Sequence, residues 1–145
     1  MRNILFLLFS LLLSSSFAQQ EEKLDKIINQ WHQDAANAAF GAYFDITTDD
    51  FVFLGTAPEE RWSKKDFMIF CRPYFDKKTT WDFKPSDRVW NFSSDGNTAW
   101  FDENLETWMQ GCRGTGILTV VGGRWMLSYY NLHVLIENEK IQDFI

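Results

Sequence analysis

From Arg88 to Ile136 the chain is written almost entirely as strand-length stretches broken by tight-turn signals. Residues 88–92, 98–108, 113–121 and 125–136 each carry the pattern, and "SSDGN", "QGC" and "GGR" separate them. Period-two alternation is the mark of a half-buried strand, and connections this short join only antiparallel neighbours. The second half of the chain therefore predicts an antiparallel sheet. Residues 81–83 also alternate. Pro85 behind them suits a bulge or an edge, because proline donates no ladder bond.

The first half reads differently. Leu24, Ile27, Ile28, Trp31 and Ala35 fall at helical spacing, and Ala36, Ala38 and Ala39 prolong it. Gly41 marks a break, or a second short helix running into Tyr43 and Phe44. Phe51 to Leu54 predicts a short strand, and "GTAPEERWS" a loop. Ser63 is a good N-cap for a helix from Lys64 to about Phe75, with Asp66 at its third position. Pro73 should kink or loosen that helix near its end. Helices followed by a run of strands give an α+β layout, with helices packed on one face of the sheet.

The N-terminus predicts its own removal. Arg2 precedes an apolar run from Ile4 to Leu13, interrupted only by Ser10, and "SSSFA" places Ser16 and Ala18 before a cut at Gln19. That is the pattern of a secretory signal peptide over residues 1–18, with an apolar run too short to span a bilayer. Residues 19–145 then form a single exported domain, periplasmic or secreted, with no membrane association after removal of the signal. The net charge is −6 at pH 7, and one unit more negative without Arg2. Such a chain is poorly suited to nucleic acid or anionic membrane surfaces.

Fourteen Phe and seven Trp in 145 residues predict an interior lined with rings. Two cysteines, Cys71 and Cys112, either pair as a disulfide, as an exported chain allows, or pack as buried thiols. The two histidines are far apart and the cysteines form no C-x-x-C, so no metal site is expected. "GTG" within residues 113–116 precedes no helix and is no dinucleotide fingerprint. Gly114 and Gly116 read instead as room for neighbouring Trp rings or as points of strand curvature. No cofactor is expected.

"WHQDAANAAFGAYF", "FLGT", "ERWSKKDF", "PYF", "AWFDE", "RGTG" and "YNL" occur in an order that resembles SnoaL-like proteins of the nuclear transport factor 2-like superfamily. The resemblance covers about residues 24–136. It implies a cone-shaped fold in which a curved antiparallel sheet wraps about three helices and leaves a pocket at the open end. It also implies homodimers through the outer sheet face. Relatives of this kind include isomerases, cyclases, dehydratases and non-catalytic binding domains.

Within that frame "NTAWFDENL" raises a question of faces. Adjacent strand residues point oppositely, so Asp102 goes with Trp100 and Asn104, while Glu103 goes with Ala99, Phe101 and Leu105. Only one acid can look inward. Trp100 favours Asp102, because a pocket combines rings with a few polar groups. Arg113 and Arg88, on the neighbouring strands, are the cations that could hold it. Asp102 and His32 are the candidate catalytic groups, His32 lying at the border of the helical apolar stripe. Trp31, Tyr43, Trp90, Trp100, Arg113, Tyr130 and Asn131 are the candidate ligand contacts.

Three functions fit these residues. The leading one is binding of a small, largely apolar molecule in an aromatic pocket. The second is isomerase, cyclase or dehydratase chemistry with Asp102 or His32 as general base. The third is a scaffold or interaction domain whose rings fill the cone.

Overall fold

The structure is a computed structural model that describes the backbone of residues 2–145 and the side chains of residues 18–145. The signal-peptide expectation falls on side chains outside the described residues. Among the described residues no helix is long and apolar enough to cross a membrane. The chain divides into two compact units, Met1–Gln30 and Trp31–Ile145.

The architecture is α+β. Helix α1 (Arg2–Ala36) is followed by α2 (Phe40–Asp45), β1 (Thr47–Leu54), β2 (Arg61–Ser63), α3 (Lys64–Lys77), β3 (Lys84–Phe92), β4 (Thr98–Thr107), β5 (Gln110–Val121) and β6 (Arg124–Val134). A 3-10 turn over Asn138–Asp143 ends the chain. The helical break falls at Ala38, which takes φ of 54°, and Gly41 lies inside α2. Ser63 caps α3 as expected, accepting from the Asp66 N–H at 3.2 Å. Pro73 does not end α3, which runs on to a left-handed Lys78 whose N–H bonds the Phe75 and Tyr74 carbonyls. Phe67, Cys71 and Phe75, four residues apart, form its buried stripe.

The six strands form one curved, unclosed sheet in the order β2-β1-β6-β5-β4-β3. Residues 61–63 join it as β2, and residues 81–83 stay outside it. The long hairpins β3–β4–β5–β6 are antiparallel, but β1 lies parallel to β6, so the sheet is mixed. Pro85 sits on the edge strand β3, in register with Leu105, the kind of strand where a sheet tolerates a residue without an N–H donor.

Two bulges decide which side chains face inward. Between Ser86 and Val89, residues 87 and 88 lie opposite Glu103 alone, and Asp87 takes φ of 51°. A bulge turns a side chain and tightens local twist; here Arg88 comes to the same face as Glu103. In β6, Ser128 is the extra residue between the pairs Ile117–Tyr129 and Leu118–Leu127. It shifts the alternation by one, so Leu127 and Tyr130 are both buried.

Candidate functional site

A cavity of about 410 Å³ opens within the Trp31–Ile145 unit. Trp31 and His32 from the end of α1, Tyr43 from α2, Phe67 and Phe70 from α3, Phe53 from β1 and Tyr130 from β6 form one part of its lining. Trp81 and Phe83 come from the segment between α3 and β3. Trp108 and Met109 come from the β4–β5 turn. Trp108 is 83% exposed, which puts it at the rim. Ring packing is close: Trp31 stacks on Tyr43 with centroids 4.9 Å apart and meets Tyr130 edge-on at 4.7 Å. Phe53 stacks on Phe67 at 4.0 Å.

Beside these rings lies a fully buried carboxylate. Glu103 Oε1 accepts from His32 Nε2 at 2.8 Å and from the Tyr130 hydroxyl at 2.9 Å. Its Oε2 accepts from Arg88 Nε at 3.0 Å and from an Arg88 terminal nitrogen at 2.6 Å. Burial pushes the Glu103 carboxyl up. The His32 hydrogen bond and charge, with the Arg88 guanidinium, outweigh burial and hold it below the ordinary value. An ionised carboxylate only accepts, so His32 carries its hydrogen on Nε2. The Tyr130 phenol is pushed well up by burial first and by the Glu103 charge second, so it remains a donor. Burial likewise raises Tyr43, against a hydrogen bond with Trp81.

Gly114 makes this cluster possible. It pairs with Glu103 across β4–β5, and a Cβ on it would sit 2.0 Å from the Tyr130 hydroxyl and 3.0 Å from Glu103 Oε1. Gly116 does the same for Phe101, whose ring would lie 2.3 Å from an added Cβ. The glycines thus leave room for Tyr130 and Phe101, not for Trp.

The expected inward acid is corrected. Asp102 is exposed and Glu103 is buried, because the inward face of β4 is the one that also carries Ala99, Phe101 and Leu105. Three apolar residues outweigh one indole in choosing a face, and Trp100 accordingly lies outward at 42% exposure. Arg113 is exposed on the outer face, paired in register with His133 and Asn104. Asn131 also leaves the site, being on the outward phase of β6 opposite Thr115. Trp90 is buried against Phe101 at 4.7 Å and does not line the cavity. Trp31, His32, Tyr43 and Tyr130 do line it. Cys71 and Cys112 are free, buried thiols on α3 and β5 rather than a bridged pair. Burial pushes the Cys71 thiol up, and Cys112 Sγ meets Thr107 Oγ1 at 3.4 Å.

Comparison with known proteins follows the same lines. The SnoaL-like domain family matches residues 24–137. No curated protein is a significant match. An NTF2-like protein of unknown function from Pseudomonas putida superposes with a TM-score of 0.71 at 14% identity, over 85% of this chain and 92% of that one. An NTF2-like protein from Cytophaga hutchinsonii gives 0.65 at 12% identity, over 80% and 98%. A structure from Catenulispora acidiphila in complex with S-DNPA gives 0.64 at 12% identity, over 80% and 93%. At such identities the likeness is one of fold. With the family match spanning most of the chain, and the fold shared with these NTF2-like structures, the protein belongs to the SnoaL-like domain family.

Proposed function

We propose that the protein binds a small, largely apolar, ring-bearing molecule in the cavity that Trp31 and His32 share with α2, α3 and the sheet. The cavity itself carries this reading. It has about 410 Å³ of space walled mainly by aromatic side chains, within the range of small-molecule sites. That volume also weighs against a scaffold whose rings fill the interior. A ligand complex is known for the fold neighbour from Catenulispora acidiphila. The neutral fluorescent probe Nile red should bind saturably at one molecule per chain. Titration with no saturable signal, for Nile red and for other neutral probes of similar size, would remove the binding reading.

A second reading is favoured by the His32–Glu103 contact of 2.8 Å. A carboxylate that fixes a histidine and offsets its positive charge is the arrangement that supports general base catalysis. His32 Nδ1 would take a proton from the carbon beside the carbonyl of a bound ring ketone, and would return it to another carbon of the enolate (isomerisation) or to a hydroxide leaving from the β-carbon (loss of water). Asp102 is too far outside the site to share this role. Product analysis by mass spectrometry and NMR over a panel of ring ketones and alcohols tests it. Turnover that His32→Gln abolishes, with Nile red binding retained, is the expected result. Turnover unchanged in His32→Gln would rule out His32 as the base.

A further inference from the structure

Given the binding role just proposed, on which this selection rests, the charge of the cavity wall selects among ring-bearing molecules. Glu60 is the acid in that wall, and no Lys or Arg lines it among the described residues. The cations next to lining residues in sequence, Arg61, Lys78 and Lys84, are exposed and outside the lining. His32 does line the cavity, but whatever positive charge it carries is met by Glu103 at 2.8 Å.

Glu60 is held there by its own loop. Between β1 and β2 the Gly55 N–H bonds the Glu60 carbonyl at 2.8 Å, and the Glu60 N–H bonds the Ala57 carbonyl at 3.0 Å. The Glu60 side chain folds back over Gly55, where an added Cβ would collide with Oε2. That oxygen accepts from the Ala57 N–H at 3.1 Å. The residue is half-buried, and its Oε1 has no hydrogen-bond partner among the described residues. The loop thus goes without a side chain at Gly55 and keeps a fixed carboxylate in the cavity lining.

We infer that the ligand carries a positively charged nitrogen on its ring body, as an aromatic or alicyclic amine does, and sets it against Glu60. A molecule that fills the cavity takes water from the wall, and a carboxylate that loses water needs a replacement. An anion opposes Glu60. A neutral hydroxyl offers it one hydrogen bond without charge. An ammonium offers both the hydrogen bond and the opposite charge, the stronger combination. The rest of the wall favours the same sign, because rings make up most of the lining and their negative faces attract cations. The net charge of −6 draws cations to the protein as well.

The test is calorimetric titration of the whole protein at neutral pH and low salt with 2-naphthylmethylamine, 2-naphthylmethanol and 2-naphthylacetate. The three share a ring system and carry a cation, a neutral hydroxyl and an anion. The amine should bind about tenfold tighter than the alcohol, the margin of a charge-assisted over a neutral hydrogen bond, and the acetate should bind weakest. Glu60→Gln keeps an acceptor for the Ala57 N–H and removes the charge. With its folding checked by circular dichroism, it should lose most of the amine preference. Glu59→Gln removes the same charge from an exposed neighbour outside the lining, and should keep that preference. An alcohol that binds as tightly as the amine, an acetate that binds tightest, or an amine that fails where Nile red binds overturns the cation assignment and leaves the binding role standing. An equal loss of preference in the two variants, or none in Glu60→Gln, overturns the part given to Glu60. No binding by any of the three, with Nile red also failing, removes the binding role and this assignment together.

Discussion

Glu103→Ala should destabilise the fold by about 3–5 kcal/mol, the usual cost of breaking a buried ion pair by removing one partner. The side chain is fully buried, and four hydrogen bonds from His32, Tyr130 and Arg88 converge on it. Truncation removes the carboxylate to which Arg88, itself 7% exposed, His32 and Tyr130 all donate. Urea unfolding of Glu103→Ala beside Asp102→Ala checks this. Asp102 stands on the outer face, so its truncation should shift the midpoint little. Similar midpoints for the two variants would contradict the buried cluster. The acid response follows from the same residue. Glu103 is held below its ordinary value in the fold, so its contribution is complete above about pH 4.3, where an unfolded glutamate ionises. It is lost as pH falls from there through the lower folded value. Glu103→Gln, which cannot ionise, should lose that part of the acid slope.

Gly114→Ala should cost about 1–3 kcal/mol, as overpacking of a filled interior does. The added methyl has little room to escape, because the 2.0 Å contact is with the Tyr130 hydroxyl and the next group, Glu103, is tied on both oxygens. Relief requires Tyr130 to swing off Glu103, so the variant should also weaken Nile red binding in the folded protein. Gly111→Ala is the control on the same strand, since nothing lies within 4 Å of a Cβ there. Equal stability and equal probe binding in the two variants would show that Gly114 sets no geometry.

Much of this layout was legible in the chain. Period and turn chemistry placed β4, β5 and β6 within a few residues, and the Ser63 cap placed α3. The parallel seating of β1 on β6 was not legible, because local alternation says nothing about a partner distant in sequence. Nor was the inward acid, although a signal existed. Ala99, Phe101 and Leu105 share a face with Glu103, and summing that face would have outvoted Trp100. The role of Arg88 depends on the bulge at residues 87–88, and that of Tyr130 on the extra residue Ser128. Both shift a phase that simple alternation assumes constant. Trp81, Phe83 and Trp108 were missed because the alternation over 81–83 and 98–108 marks a strand and not a pocket, while all three stand on a connecting segment or at a turn.

The parallel pairing of β1 with β6 also fixes an order of events during synthesis. Phe53 on β1 finds its register partner in Tyr130, close to the far end of the chain. A ribosome therefore releases the first wall of the cavity before the last, and seating β1 on β6 needs a closure across every element between them, whereas the hairpins between are local. Until β6 docks, Glu103 lacks Tyr130 and β1 lacks its long neighbour. The cavity is thus among the last things these elements complete, and a chain interrupted before residue 124 contains none of β6.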